Sequence, residues 1–221
     1  MKKIIFLGSG AVASEVIAYL NDIQKHNPAS TYEIAGFLDD SFNNFTSKSV
    51  TYGFSSPYLG KIEDHHFTAE FSYIFGFGNP AAKSNVLGKV DLSQLSFPNI
   101  VHPSVIVADS AELGVGNVLY PHTIIGPNAR IGNFNLITSY SFISHDCTVG
   151  HFNFFSTAGL SGNVTVGDNN FFGIRSAVIP SVTIGSHNLI QAGMVVDKNV
   201  SDNETVFYRF KEKVTVIKSK E

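Results

Sequence analysis

Two periodicities and the change between them predict an α/β fold in two parts: a βαβ unit of the half-Rossmann kind over residues 1–98, then a parallel β-helix over residues 99–221. Up to about Pro98, strand-like apolar runs alternate with segments whose apolar residues recur at helical spacing. From Val101 onward every sixth residue is apolar: Val107, Leu113, Leu119, Ile125, Ile131, Ile137, Ile143, Val149 and Phe155 follow in turn. After one short step the series resumes at Val166 and continues through Phe172, Val178, Ile184 and Ile190 to Val196. A hexad that supplies one inward side chain per short strand is the signature of a β-helix in which three strands close each coil.

The amino-terminal elements follow in order. Lys3–Leu7 reads as a strand, and Ala11–Gln24 as a helix with an apolar face of Val12, Val16, Ile17 and Leu20. Tyr32–Leu38 and Phe71–Phe77 read as further strands, and Pro80–Val90 as a second helix. Between the first strand and helix, Gly8, Gly10 and Ala13 satisfy the loose G-x-G-x-x-G/A pattern, so phosphate oxygens can meet the helix N-terminus. Asp39 and Asp40 follow the second strand, where a dinucleotide-binding protein holds ribose. Residues 1–98 contain one mononucleotide-binding half, however, and the same geometry fits a nucleoside diphosphate as well as NAD.

Within the hexads a longer repeat is nested. LGVGN at 113, IGNFN at 131, VGHFN at 149, VGDNN at 166 and IGSHN at 184 share the form aliphatic-Gly-x-x-Asn, three hexads apart with one residue missing between 149 and 166. Asn accepts left-handed backbone angles, so these residues are expected to stack at equivalent corners of successive coils. Small residues four places after an inward position, among them Thr123, Ala129, Ser141, Cys147 and Ser176, complete the filling of the coil. Cys147 is therefore read as structural.

Composition bounds the function. The chain is 43% hydrophobic and 15% charged, enough to bury a core, and a net charge of −3 leaves no basic field for nucleic acid. The one basic concentration, Lys211–Lys220 in the carboxy-terminal tail, is expected to be a solvated surface. No apolar run is long enough to cross a bilayer and no basic-then-apolar leader precedes a cleavage site, so a cytoplasmic protein is expected. A single cysteine excludes an intrachain disulfide and a cysteine-based zinc cluster.

SYSFISHDCTVGHFN, residues 139–153, places a base and a carboxylate side by side within this repeat. His145 lies two residues after inward-facing Ile143, so its ring should project from a corner of the coil. An imidazole can take a proton near neutral pH, and the adjacent Asp146 can orient it. A surface histidine beside a surface acid would satisfy the same letters.

The hexads, with GSGAVASEV after the first strand, GFLDD at 36–40, GFGNPAAK at 76–83, SHDCTVG at 144–150 and GNVTVGDNNFFGIRS at 162–176, resemble the left-handed β-helix acyltransferases over essentially the whole chain. Among these the bacterial nucleotide-amino-sugar N-acetyltransferases are the nearest in pattern. That resemblance implies left-handed coils, a homotrimer, acetyl-CoA lying along the coils between neighbouring subunits, and a nucleotide-sugar held by the amino-terminal domain. It implies His145 as the base, Asp146 as its orienting partner and the Gly162 N–H as the donor to the oxyanion. It matches Ile174, and Ala192 with Gly193, to backbone that lines the pantetheine, and Gly8, Ser9, Gly10, Asp39, Asp40, Gly78 and Asn79 to the nucleotide and diphosphate. Phe154 stands where some members of the family carry a histidine near the acetyl carbonyl. The histidine spacing of another β-helix enzyme, which binds zinc through three histidines, is not met by His122, His145 and His151, and no metal site is expected.

The expected activity is transfer of acetyl from acetyl-CoA to the amine of a nucleotide-linked amino-deoxysugar, a 4-amino-4,6-dideoxyhexose for surface glycan such as O-antigen. A sugar O-acetyltransferase using the same base, of the sialic-acid type, and a non-catalytic scaffold that binds a nucleotide are the alternatives. Flat prism faces carrying Phe152, Phe155 and Phe171 are expected to be covered by neighbouring subunits. Lys83 is expected either to reach a phosphate or to lie solvated on its helix.

Overall fold

The computed structural model describes residues 2–208 except 89, 91 and 93; the basic run Lys211–Lys220 lies outside the described residues. The amino-terminal part is β1 (Lys2–Leu7), α1 (Ala11–His26), β2 (Tyr32–Leu38), α2 (Phe42–Tyr52), β3 (Tyr58–Gly60), β4 (Ser72–Phe75) and α3 (Pro80–Leu87). Its four strands form one parallel sheet in the order β3-β2-β1-β4. Parallel strands buried on both faces read as continuous apolar runs, and Ile4, Ile5, Phe6 and Leu7 of β1 are each at most 1% exposed.

The sequence pattern did not announce α2 and β3. The α2 segment FNNFTSKSVTY is polar with several poor helix formers, and it buries only Phe45. Its limits are set by capping: the Ser41 side chain accepts from the Asn44 N–H, and Gly53 ends the helix in the left-handed conformation at φ 68°. α3 ends at Leu87, short of the expected Val90.

From Ile100 the chain winds as eighteen two-residue strands, β5 to β22, stacked into three parallel sheets of seven, six and five strands. The seven-stranded sheet begins with β5 (Ile100–Val101), β8 (Val118–Leu119) and β11 (Leu136–Ile137). The six-stranded sheet includes β12 (Phe142–Ile143), β15 (Gly159–Leu160) and β18 (Ala177–Val178), and the five-stranded sheet includes β13 (Thr148–Val149). The second residue of each strand is the hexad apolar position, and from Leu119 to Val196 these are at most 4% exposed. Val101, Val107 and Leu113 are half-buried, because the end coil has a neighbour on one side only. Thr123, Ala129, Ser141, Cys147 and Ser176 are at most 2% exposed, as the small-residue positions require.

Each coil turns its corners through a residue near φ +60°, including His122, Asn128, Phe134, Tyr140, Asp146 and Phe152. The Asn ladder works differently from the expectation. Asn135, Asn153 and Asn170 are not themselves left-handed; Phe134, Phe152 and Asn169 just before them are. The Asn side chains are buried, each Oδ1 accepting the next ladder N–H at 2.8 to 2.9 Å while Nδ2 donates to a glycine carbonyl of the next coil. Buried amides that find partners on both atoms hold the corners in register.

The one-residue shortening lies at the corner after β14 (Phe154–Phe155), where Ser156–Thr157–Ala158 replaces the usual four residues. Phe155 points inward rather than onto a prism face: it is fully buried and stacks on Phe172 at 4.5 Å. Phe152 stacks on Phe134, leaving Phe171 as the one of the three on an outer sheet face, against Phe154. Exposed Ile106, Ile124, Phe142 and Val195 form the apolar stripe of the six-stranded sheet instead.

The sheet and the coils share their cores. Ile100, Val118 and Leu136, on the outer face of the seven-stranded sheet, pack with Ile4, Phe6 and Val16, and Phe134 packs with Leu7, Phe75 and Leu87. Lys83 lies in this seam, neither solvated nor turned to a ligand. It is 3% exposed, its Nζ donates to the Phe134 carbonyl at 3.3 Å and sits 5.8 Å from the centre of the Phe75 ring. Burial pushes its ammonium down to about 7. Because the unfolded chain binds this proton up to the ordinary lysine range, the cost of burying Lys83 is fully present below about pH 7 and fades as pH rises toward ~10. Lys83→Met is therefore expected to raise Tm at pH 6 and to raise it much less at pH 9.5, which paired thermal melts will check.

Candidate active site

Strand register puts Pro127, His145, Gly162 and Pro180 at one corner position of successive coils, between the six- and five-stranded sheets. The residue after each, Asn128, Asp146, Asn163 and Ser181, is left-handed at φ 58° to 64°. A short polar side chain tolerates that conformation, so Asp146 is first a corner residue. The same turn points its carboxylate back at its neighbour.

His145 Nδ1 lies 2.8 Å from Asp146 Oδ2, and both side chains are about half exposed. Asp146 Oδ1 accepts from Asn128 Nδ2 at 3.1 Å, a partner from the preceding coil that pattern reading missed although it lies 18 residues earlier at the same corner. The His145 hydrogen bond, with that from Asn128, holds the Asp146 carboxyl below the usual carboxylate range. An ionised Asp146 only accepts, so Nδ1 carries the proton, and in the neutral imidazole Nε2 is the nitrogen that keeps its lone pair.

The imidazole lies against Gly162 of the next coil. A Cβ built on Gly162 would stand 2.5 Å from His145 Cε1 and 2.6 Å from Nε2, so only glycine leaves room for the ring. The Gly162 N–H makes no hydrogen bond among the described residues. Pro127 and Pro180 at the equivalent positions carry no N–H, so the coil ladder does not use a donor here. A lone pair on Nε2 and a spare N–H thus lie side by side at one corner.

Ile174, Ala192 and Gly193 gather at the next corner, where the seven-stranded sheet passes into the six-stranded one. Gly193 N–H donates to the Ile174 carbonyl at 2.8 Å, and a Cβ on Gly173 would press on the Ala192 nitrogen at 2.6 Å. Ile174 is 54% exposed. These three are brought together on the far edge of the sheet that carries β12, β15 and β18, apart from His145.

The amino-terminal candidates converge beyond the carboxyl ends of β1, β2 and β4. Ser9 N–H and Oγ–H donate to Asp39 Oδ2 at 3.0 and 2.6 Å, and Ser41 N–H donates to Oδ1 at 3.1 Å, with Asn44 Nδ2 near both oxygens. Burial would raise the Asp39 carboxyl, but the hydrogen bonds from Ser9, Ser41 and Asn44 outweigh it and hold the group below its ordinary value. Asp39 is thus engaged by the chain itself, clamping the first turn to the second; Asp40 beside it is exposed and lines a cavity. Gly8, at φ 92°, touches the Gly76 position so closely that no side chain fits, which couples the first glycine turn to the third. In that third turn the Asn79 side chain caps α3 by accepting from Ala82 N–H at 2.9 Å. Gly78 rests on Phe154, whose ring atom would lie 2.6 Å from an added Cβ.

These turns pack, through α1 and β1, on the seven-stranded sheet, whereas His145 projects from the opposite corner of the triangular coil. Within one chain the two sets do not meet. His151, beside them in sequence, is a corner residue whose Nδ1 accepts the Asn133 N–H at 2.9 Å. Among the described residues, no three His, Cys, Asp or Glu side chains cluster as metal ligands would, and no helix is long and apolar enough to cross a membrane.

No protein-family model and no curated protein matches the chain. Solved structures do resemble it. The acetyltransferase domain of PglB from Neisseria gonorrhoeae superposes with a TM-score of 0.74 at 24% identity, covering 93% of this chain and 96% of its own. A perosamine N-acetyltransferase from Caulobacter crescentus, solved with CoA and GDP-perosamine, gives 0.72 at 22% identity and 93% of each chain. WeeI from Acinetobacter baumannii gives 0.72 at 20% identity over 93% of this chain and 96% of its own. The likeness establishes the fold class as an α/β unit joined to a left-handed parallel β-helix.

Proposed function

We propose that the protein is an acyltransferase that moves acetyl from acetyl-CoA to the amine of a nucleotide-linked amino-deoxysugar. The observation that carries this is the corner at which the Nε2 lone pair of His145, oriented by Asp146, lies against the spare N–H of Gly162. Thioester aminolysis needs those two groups together. The amine nitrogen attacks the thioester carbon and a C–N bond forms; the Gly162 N–H donates to the oxygen that gains charge. His145 Nε2 takes the proton from nitrogen, the C–S bond breaks, and that proton leaves with the thiolate as CoA. Asp146 stabilises the imidazolium in between.

Structural neighbours solved with CoA or acetyl-CoA support acetyl-CoA as donor, and those solved with GDP-perosamine support a nucleotide-sugar as acceptor. In this reading Ile174, Ala192 and Gly193 line the pantetheine. Gly8, Ser9, Gly10, Gly78 and Asn79 meet the diphosphate, with Asp39 holding those turns in register and Asp40 facing the nucleoside. Residues 1–98 act as the nucleotide-sugar domain and 99–221 as the catalytic one. Since a chain does not bring its sugar turns to its own His145, the site is formed between subunits of a homotrimer, seated on the stripe of Ile106, Ile124, Phe142 and Val195. A cytoplasmic location and a product used in surface glycan accord with these substrates.

Release of free CoA thiol tests the proposal. With UDP-, dTDP- and GDP-linked 4-amino-4,6-dideoxyhexoses, release should require one nucleotide-sugar and not follow from the free sugar or nucleotide alone. Turnover of free sialic acid in their place would favour the O-acetyltransferase. A monomer by light scattering would remove the shared site.

A further inference from the structure

The cleft beside Asp40 is open to solvent and has a volume of about 580 Å³, within the usual range for a small-molecule site. It lies beyond the carboxyl ends of β2 and β3, where open α/β sheets bind ligands. Its opening is tied to the first glycine turn, because Asp39, next in the chain to Asp40, is the residue that Ser9 grips. A nucleotide with its phosphates at Gly8–Gly10 would extend its base toward this cavity. The walls suit a flat ring: Phe67 and Val86 are apolar and half-buried. His65 is also wall, its Nε2 3.3 Å from the Tyr73 hydroxyl. The polar groups at the lining are Asp40, Glu63 and Asn85, with His66. Two of the four are carboxylates, which accept hydrogen bonds and cannot donate them.

That chemistry discriminates among bases. Guanine presents its ring N1–H and its 2-amino group side by side, a pair of donors that one carboxylate accepts bidentately. Uracil and thymine flank a single N–H with two carbonyl oxygens, which a carboxylate repels. Adenine offers one amino donor beside an unprotonated ring nitrogen. An amide such as Asn85 can donate to the guanine acceptors O6 and N7.

Building on the nucleotide-sugar reading, we propose that this cavity holds the nucleobase and selects guanine, with Asp40 accepting from N1–H and the 2-amino group. Equilibrium binding of GDP, IDP, UDP, ADP and dTDP to the full chain, at fixed ionic strength and without acetyl-CoA, tests it. GDP should bind at least about 10-fold tighter than UDP, ADP or dTDP, and about 10-fold tighter than IDP, which lacks the 2-amino group. Asp40→Asn, folded by its melting curve, should lose about 10- to 100-fold in GDP affinity and bring GDP and IDP together. UDP, ADP or dTDP binding as tightly as GDP, or a GDP to IDP ratio unchanged in Asp40→Asn, would overturn the base assignment and leave the nucleotide-sugar reading standing. Binding of none of the five would overturn both.

Discussion

His145→Asn is expected to lower kcat by about 10²–10⁴-fold while leaving acetyl-CoA affinity nearly unchanged, the usual loss when a general base is removed. Asparagine keeps a polar group of similar bulk at the corner but cannot take the amine proton. His145 is about half exposed and outside the coil core, so the fold should not suffer. The pH profiles carry the finer test. Wild-type kcat/KM should rise with pH through an ionisation that the variant lacks. The substrate amine gives a limb of the same sign in both, so only the difference between the two profiles belongs to His145. Retention of more than about a third of wild-type kcat would shift catalysis to positioning of an already neutral amine.

Gly162→Ala is expected to cost about 10²-fold in kcat, for a reason distinct from its N–H. Alanine keeps the N–H, so if Gly162 served only as oxyanion donor the variant would be nearly wild type. Its Cβ, however, would fall 2.5 Å from His145 Cε1. The imidazole is the mobile partner and swings out, giving up its 2.8 Å bond to Asp146 Oδ2. Gly162 is not in the left-handed region, so backbone strain adds nothing. Steady-state kinetics with a melting curve should find a lowered kcat at nearly unchanged Tm. Wild-type kcat in Gly162→Ala would mean that the ring position is not catalytically important.

Much of this was legible because a repeat fixes position by counting. Gly162 follows His145 by 17 residues, one coil of 18 less the residue lost at the shortened corner, so the two had to share a corner. The inward hexads and small fillers were readable for the same reason. Where no period governs, the pattern was silent. α2 had only Ser41 and Gly53 to mark its ends, and β3 is three residues long. Lys83 looks like any surface lysine until Phe134, 51 residues away, closes over it. The hexad count itself turns Phe155 inward, against its expected place on a prism face; Phe152, outside the hexad series, could not be placed without the coil's corner geometry. The grip of Ser9 on Asp39, which separates the roles of two adjacent aspartates, depends on two turns that meet only in the folded sheet. The cavity was hidden for a like reason: the segment 61–67 must fold against α3 to make it.

The most direct measurement is the mass of the acceptor after incubation of the wild-type protein with acetyl-CoA and the nucleotide-linked amino-sugars. One of them should gain a single acetyl group that survives mild alkali, as an amide does, with one CoA released per acetyl transferred and with His145→Asn producing almost none. An alkali-labile acetyl ester, or CoA released with acetate as the only product, would contradict N-acetyl transfer at this corner of the β-helix.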